Sequence, residues 1–337
     1  MLKYFELRNS PRVDLSQAVP LAAPFTVFIE PTNVCNFSCV MCPESFPDYQ
    51  ELAGYYQRMP MKLYEKILAD LLELGRIKTL KFYFEGEPLL NPDLPKMIRM
   101  AKTAGVSDRV ELTTNASLID DRRAAELVDS GLDYVRISIY SIDDQDHKTL
   151  TGSKFAPAQI LENVKRLKRA REERGASNPV IYAQYLHESP MGEERFRKTY
   201  TGVADELGMD FRHNWNGSDQ RDNGFVTIGY SPDGEGLQRN FSSRKQVCPE
   251  PFYTLAVKAN GDVSCCCIDW AGQLKVGSVR ESTLAEIWRG EKLREIQRLH
   301  VAKRRVDIPA CRDCTLIYNF PDNLDGLTEE EFMARMG

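Results

Sequence analysis

Three cysteines close together in the sequence are the residues whose spacing most clearly indicates chemistry. Cys35, Cys39 and Cys42 follow the spacing C-x3-C-x2-C within residues 30–43. An iron–sulfur cluster normally takes four cysteine thiolates, so three would leave one iron free to bind another group. Zinc is the alternative, but zinc sites usually pair two C-x2-C knuckles or add histidine, and the nearest histidine along the chain is His147. The spacing therefore favours a [4Fe–4S] cluster with an open coordination position.

A second set of cysteines lies in the last third of the chain. Four of them follow the spacing C-x17-C-x44-C-x2-C: Cys248, Cys266, Cys311 and Cys314. Four thiolates fill a [4Fe–4S] cluster and leave no vacancy, with zinc again the alternative. Cys265 and Cys267 remain, either as small buried side chains or, for one of them, as a reactive thiol.

Alternating helix and strand patterns surround the first cysteines. Strands are predicted at residues 26–29, 80–84, 109–113, 133–139, 180–186 and 209–215. Helices are predicted at residues 60–74, 93–104, 120–130, 156–174 and 193–207. Repeated βα units form parallel sheets covered by helices, and a complete eight-unit barrel needs roughly 250 residues. We therefore predict an α/β fold with a partial (β/α)6 barrel.

The carboxyl ends of such strands are where ligands bind. The first cysteine loop follows the first predicted strand. The segment from Glu85 to Pro88 follows the second, Asn115 follows the third, and Ser138 lies near the end of the fourth. These positions should converge in space.

A change of composition marks the boundary between two domains. Residues 216–247 are rich in Gly, Ser, Asp and Asn, as linkers are. The expected division is an N-terminal extension at 1–20, the barrel at 21–215, the linker at 216–247, a small cysteine-containing domain at 248–325 and a tail at 326–337. Within the small domain, Asn260-Gly261 predicts a β-hairpin, and Thr283 with Glu286 predicts the start of a helix.

Composition excludes several classes of protein. The 337 residues carry a net charge of −5, which gives no sign of a nucleic-acid-binding surface. The sequence has no apolar run near the ~20 residues of a membrane span, and its first residues do not resemble a secretory signal. We therefore expect a cytoplasmic protein without membrane or nucleic-acid partners. In that reducing compartment nine cysteines act as ligands or catalysts rather than disulfides.

The residues above resemble the radical S-adenosylmethionine (SAM) enzymes over roughly residues 25–320. The resemblance implies that Cys35, Cys39 and Cys42 bind a [4Fe–4S] cluster whose open iron holds SAM, and that SAM cleavage gives a 5′-deoxyadenosyl radical. The family's GGEP motif matches Glu85-Gly86-Glu87-Pro88, with Glu85 in place of the first glycine. Further SAM contacts implied by the resemblance are Glu87 and the loop backbone for the amino group, Asn115 and Ser138 for the ribose, and Gln184 as a candidate for the carboxylate.

The C-terminal cysteines resemble the SPASM/twitch extension of the same family. This resemblance implies that Cys248, Cys266, Cys311 and Cys314 hold a second, auxiliary [4Fe–4S] cluster that transfers electrons. Related sugar epimerases use a cysteine as a hydrogen-atom donor, which makes Cys267 the better candidate over Cys265.

The substrate is predicted less directly. The chain resembles the sugar- and aminocyclitol-modifying members, which implies epimerisation or alcohol oxidation of a small polar substrate in natural-product or sugar biosynthesis, with flavodoxin or ferredoxin as reductant. Six polar residues suit a hydroxylated substrate or, equally, a solvated loop: His213, Asn214, Asn216, Asp219, Arg221 and Asp222. The alternatives are a maturase of ribosomally made peptides and, from another class, a non-enzymatic iron–sulfur electron carrier.

Overall fold

The computed structural model describes residues 13–54, 56–186, 189–210, 245–312, 314, 316–320 and 322–336. Six parallel strands follow one another in this part of the chain: β1 (Thr26–Ile29), β2 (Ile77–Phe82), β3 (Ser107–Thr114), β4 (Tyr134–Ile139), β5 (Val180–Leu186) and β6 (Glu206–Asp210). Each pairs in parallel with the next. The predicted α/β class and the order of its strands are thereby confirmed.

The C-terminal domain continues this sheet. Its strands are β7 (Thr254–Val257), β8 (Asp262–Ser264) and β9 (Lys275–Ser278). Strand β7 pairs in parallel with β1, whereas β8 and β9 are antiparallel. The described strands therefore form one mixed sheet in the order β6-β5-β4-β3-β2-β1-β7-β8-β9. The predicted hairpin is present, and Gly261 in its turn has a φ of +94°, a conformation that glycine tolerates.

Helices cover the sheet and lie between its strands. In the described residues they are α1 (Leu15–Ala18), α2 (Tyr49–Ala53), α3 (Met61–Leu74), α4 (Leu94–Ala104), α5 (Asp121–Asp129), α6 (Asp144–Thr151), α7 (Pro157–Glu173), α8 (Pro190–Tyr200), α9 (Leu284–Trp288), α10 (Glu291–Val301) and α11 (Glu329–Met336). Helix α9 begins with the predicted capping box, in which Thr283 and Glu286 each accept from the other's backbone N–H.

The bounds predicted for the last helix and the last strand of the barrel were wrong. The helix expected at 193–207 is α8, which starts earlier because Ser189 caps it and Pro190 occupies its first turn. The chain then turns at Gly202, whose φ is +77°, and Leu207 belongs to β6. The strand expected at 209–215 therefore begins at Glu206, and residues 211–215 lie outside the described part.

Helix α6 was not predicted, and it supports the first cysteine loop. The carbonyl groups of Thr151 and Leu150, at its C-terminal end, accept hydrogen bonds from the backbone N–H groups of Ser38 (2.8 Å) and Val40 (2.9 Å). The cysteine loop is thus bound to a helix that follows β4, far away in sequence.

The described ends of the chain pack on each other. Leu15 and Val19 share an apolar cluster with Phe252 and Phe332, and Arg335 donates to the Ser16 carbonyl at 2.7 Å. Leu15 and Val19, within the predicted N-terminal extension, are therefore packed against the C-terminal part of the chain. Among the described residues, no helix has the length and apolarity needed to span a bilayer.

Candidate active site and cluster-binding sites

The first cysteine loop forms part of the wall of a cavity of about 250 Å³. Cys35, Cys39 and Cys42 all border this cavity, and the Cys42 N–H donates to the Cys39 carbonyl at 2.9 Å. Burial raises the pKa of the Cys39 thiol to about 12. The thiols therefore remain protonated until a metal centre displaces the protons.

Gly86 brings the segment after β2 into contact with the cysteine loop. Its φ is +66°, and a Cβ there would lie 2.5 Å from the Thr32 carbonyl oxygen and 2.8 Å from that of Val34. The Gly86 N–H donates to Glu44 Oε1 at 2.7 Å, and the Glu87 N–H donates to the Val34 carbonyl at 2.9 Å. Only glycine allows this approach.

Glu87 connects the same segment to the end of β3. Its Oε1 accepts from the Thr114 hydroxyl at 2.6 Å and from the Leu89 N–H at 3.0 Å. Its Oε2 accepts from the Asn115 N–H at 2.8 Å. Pro88 is buried and begins the short helix Pro88–Leu90. Glu87 therefore fixes two loops of the cavity relative to each other.

Glu85, the residue that departs from the family motif, is buried in an ionic network. Its carboxylate accepts from the Tyr49 hydroxyl at 2.5 Å and lies 3.5 Å from Lys258 Nζ. Desolvation raises the pKa of Glu85 to about 8, although Lys258 opposes the shift. Lys258 also donates to the Trp270 carbonyl at 2.5 Å. The network joins the segment after β2 to the C-terminal domain.

Asn115, Ser138 and Gln184 line the same cavity. Asn115 donates from Nδ2 to Asn36 at 3.0 Å, and Gln184 donates from Nε2 to Asp210 Oδ2 at 3.0 Å. The strand ends converge as the topology required.

Three further residues of the cavity wall were not singled out from the sequence. They are Tyr83, Arg136 and Asp210. Arg136 donates from Nε to the Thr113 hydroxyl at 3.1 Å, and its guanidinium carbon lies 5.0 Å from the Tyr83 ring centroid. The sequence does contain an indication for Arg136. It precedes Ser138 by two residues and therefore lies on the same face of β4.

The two cysteines left open by the sequence occupy different environments. Cys267 borders the large cavity. Cys265 is 0% exposed and its Sγ lies 3.9 Å from the Leu274 carbonyl oxygen. A hydrogen bond from Cys266 lowers the pKa of Cys267, but burial and Glu250 outweigh it and raise the pKa above its usual value. Cys267 is therefore a thiol at the cavity wall.

Four other cysteines surround a second, smaller cavity of about 30 Å³. Its wall includes Cys248, Cys266, Cys311 and Cys314. In the described part of the chain, no three His, Cys, Asp or Glu side chains are grouped closely enough to hold one metal ion. A zinc ion would need its sulfur ligands within about 2.3 Å. Four thiols spaced around a cavity fit a cluster better than a single ion.

His300 and Arg305 also line this second cavity. Burial and the nearby Arg305 guanidinium lower the pKa of His300 to about 4. The polar residues expected to contact substrate between residues 213 and 222 lie outside the described part of the chain.

Comparisons with known proteins agree with these two sites. Residues 29–182 match the family model of the Radical SAM superfamily, and residues 248–315 match that of SPASM, an iron–sulfur cluster-binding domain. The chain therefore carries a radical SAM domain and, C-terminal to it, a SPASM domain. The cofactors of these domains are SAM and [4Fe–4S] clusters.

The relatives found by sequence comparison align with less than half of this chain. A probable GTP 3′,8-cyclase of Metallosphaera sedula is 36% identical over 121 residues, which are 36% of each protein. A tungsten-containing aldehyde ferredoxin oxidoreductase cofactor-modifying protein of Pyrococcus furiosus is 29% identical over 155 residues, 46% of this chain and 41% of that protein. The chain thus spans well under half of the length of these relatives.

Solved structures share the fold over most of the chain. Streptococcus suis SuiB bound to S-adenosylmethionine has a TM-score of 0.62 at 17% identity, covering 94% of this chain and 78% of SuiB. BtrN in complex with AdoMet and 2-DOIA has a TM-score of 0.54 at 16% identity, covering 86% of this chain and 92% of BtrN.

Proposed function

We propose that this protein abstracts a hydrogen atom from a hydroxylated, carbohydrate-like substrate and that Cys267 returns one to the opposite face, which gives epimerisation. The observation that carries this proposal is the position of Cys267, which borders the same cavity as Cys35, Cys39 and Cys42. A thiol can donate hydrogen only while protonated, and the raised pKa of Cys267 supports that state.

The residues around the first cysteine loop have distinct roles in this proposal. When bound, SAM and the first cluster supply a 5′-deoxyadenosyl radical. The backbone at Gly86 and the Glu87 carboxylate hold the amino group of SAM, and Asn115 with Ser138 hold its ribose. Gln184 uses one amide N–H for Asp210 and has a second for the SAM carboxylate.

Three polar side chains of the cavity wall support a polyol substrate. Arg136 offers donors, Asp210 offers acceptors, and the amide oxygen of Gln184 offers a further acceptor. Such a mixture suits neighbouring hydroxyl groups better than an apolar side chain. Arg136 and Asp210 also bring opposite charges to the cavity, so no single sign of charge on the substrate is required.

The proposed epimerisation consumes one hydrogen atom from Cys267 for each hydrogen atom taken from the substrate. A substrate C–H bond breaks and its hydrogen forms 5′-deoxyadenosine. The substrate carbon then takes the hydrogen of the Cys267 S–H bond, which leaves a sulfur radical. One electron and one proton restore the thiol. The electron comes through the auxiliary cluster, one of whose ligands, Cys266, is adjacent to Cys267 in the chain, and its source is a reductant of the flavodoxin or ferredoxin class.

Alcohol oxidation is the second candidate. The same auxiliary cluster can accept an electron from a substrate radical, and no hydrogen is then returned. A peptide substrate is a third candidate, because SuiB bound to its precursor peptide SuiA shares this fold. The hydrogen-bonding groups of Arg136, Asp210 and Gln184 favour the small hydroxylated substrate.

Anaerobic turnover in D2O separates these candidates. Reconstituted protein, SAM and reductant are tested with a panel of sugars, aminocyclitols, GTP and peptides. Epimerisation incorporates one solvent deuterium at a single carbon, because the Cys267 thiol exchanges with water. Oxidation forms one 5′-deoxyadenosine per product and leaves no deuterium at the oxidised carbon.

Two variants test the role of Cys267. Cys267→Ala should lose the deuterated epimer while still forming 5′-deoxyadenosine, whereas Cys265→Ala, the matched control, should retain it. An unchanged product profile in Cys267→Ala overturns the proposed donor. Absence of 5′-deoxyadenosine with every substrate and with SAM alone overturns the radical chemistry itself.

A further inference from the structure

His300 is a fully buried histidine that the proposed reaction does not use. It lies in the last turn of α10 and is 0% exposed. Its Nδ1 accepts a hydrogen bond from the backbone N–H of Cys248 at 3.3 Å. A ring nitrogen that accepts a hydrogen bond carries no proton, so the proton of this imidazole is on Nε2.

The Nε2–H group is buried and has no hydrogen-bond partner among the described residues. Buried donors are nearly always paired in native structures, because a lost hydrogen bond to water must be replaced. His300 borders the cavity surrounded by Cys248, Cys266, Cys311 and Cys314. The sulfur atoms of a cluster bound in that cavity would therefore be acceptors next to His300.

A positively charged group also lies on the wall of the same cavity. The Arg305 guanidinium donates from Nη1 to the Cys311 carbonyl and to the Cys314 carbonyl, the latter at 3.5 Å. These bonds hold a cation beside two of the ligand cysteines. Arg305 already has acceptors, whereas the Nε2–H of His300 has none.

We propose that the Nε2–H group of His300 donates a hydrogen bond to a sulfur atom of the auxiliary cluster or of its ligand cysteines, and thereby raises the reduction potential of that cluster. Reduction adds negative charge to the sulfur atoms, so a donor stabilises the reduced state more than the oxidised state. His300 would thus act on the auxiliary cluster and not on the substrate, whichever substrate is bound.

Three variants separate this role from a structural one. His300→Asn keeps an amide oxygen near the Nδ1 position, which can still accept from Cys248, but does not reach the Nε2 position. His300→Gln keeps an N–H at the Nε2 position. His300→Phe keeps the ring and removes both. All are made in the full chain with Cys35, Cys39 and Cys42 changed to alanine, so that the auxiliary cluster alone gives the signal.

The measurement is an anaerobic redox titration followed by electron paramagnetic resonance. In His300→Asn and His300→Phe we expect about a tenfold lower ratio of reduced to oxidised cluster at a fixed potential, which equals about 59 mV for a one-electron couple. His300→Gln should remain close to the parent. Equal midpoints in the parent and in His300→Asn would overturn the proposal, because a residue that only caps Cys248 would behave in this way.

A spectroscopic measurement on the parent does not require the variants to hold a cluster. With ¹⁵N-histidine and D2O, the reduced cluster should show a weak nitrogen coupling and an exchangeable deuteron coupling. Absence of both, or a nitrogen coupling as large as that of a direct iron ligand, overturns the hydrogen bond.

Discussion

Gly86→Ala tests whether the close approach of two backbone segments builds the SAM-binding site. A Cβ at Gly86 would lie 2.5 Å from the Thr32 carbonyl oxygen and 2.9 Å from the Asn33 carbonyl carbon. Both contacts are with backbone, so no side chain can rotate away. The segment carrying Glu87 would have to move from the cysteine loop.

Gly105→Ala is the matched control for this change. Gly105 has nearly the same φ, +64° against +66° at Gly86, and a Cβ there would meet nothing within 4 Å. An alanine at such a φ destabilises by about 1–2 kcal/mol, and this penalty applies to both variants. Overpacking adds about 1–3 kcal/mol at Gly86 only. We therefore expect Gly86→Ala to be about 1–3 kcal/mol less stable than Gly105→Ala.

Urea unfolding and SAM binding provide two independent readouts. The midpoint of Gly86→Ala should fall below that of Gly105→Ala, and titration calorimetry under anaerobic conditions should show weaker SAM binding only in Gly86→Ala. If the two variants unfold at the same midpoint and bind SAM equally, the contact with Thr32 does not organise the site and the reasoning fails.

Two further changes probe ion pairs of different burial. Asp205 accepts two hydrogen bonds from Arg171, at 2.5 and 2.8 Å. Partial burial raises the pKa of Asp205, but these bonds outweigh it and lower that pKa. The stabilisation by this ion pair is therefore present above pH ~4 and is lost as pH falls through the folded pKa. In urea unfolding, Asp205→Asn should therefore lower the free energy of unfolding by about 1–3 kcal/mol at pH 7 and by progressively less below pH 4. Asp108→Asn is the control, because the side chains of its ion pair with Arg76 are 62–63% exposed. It should change the free energy of unfolding by under about 0.5 kcal/mol. Lys258→Met should remove the cation that favours ionised Glu85 and raise the folded pKa of Glu85 further above about 8. Its loss of stability relative to the parent should therefore grow mainly as pH rises through 8, by up to about 1.4 kcal/mol per pH unit. A loss for Lys258→Met that does not increase between pH 5 and pH 8.5 would contradict the assigned pairing.

The sequence predicted the sheet because apolar runs bounded by turns are a local signal. Strand β5 begins and ends where it was predicted, at Val180 and Leu186. The same signal failed beyond α8. Helical spacing continues to Leu207, and periodicity alone cannot reveal that Gly202 turns the chain back into the sheet.

The cavity was predicted only where residues carry a recognisable pattern. The cysteines and the Glu85–Pro88 segment have one. Arg136 shares its face of β4 with Ser138, but a charged residue within a strand is more typical of a solvated face, so its residue type did not mark it as part of the cavity wall. His300 is separated from Cys248 by 52 residues, so no local pattern connects them.

The pairing of β1 with β7 explains why the two cysteine sites form one unit. Ile29 pairs with Val257 in parallel register, so Glu30 and Lys258 follow at neighbouring positions. The Glu30 N–H donates to the Val257 carbonyl at 2.9 Å, and Glu30 Oε2 accepts from the Ala259 N–H at 2.8 Å. The chain leaves β1 toward the first cysteine loop, and it leaves β7 through the hairpin toward Cys265–Cys267. The register of β1 on β7 and its backbone hydrogen bonds therefore set the spacing of the two sites. Substitution of single side chains in these strands should leave that spacing unchanged.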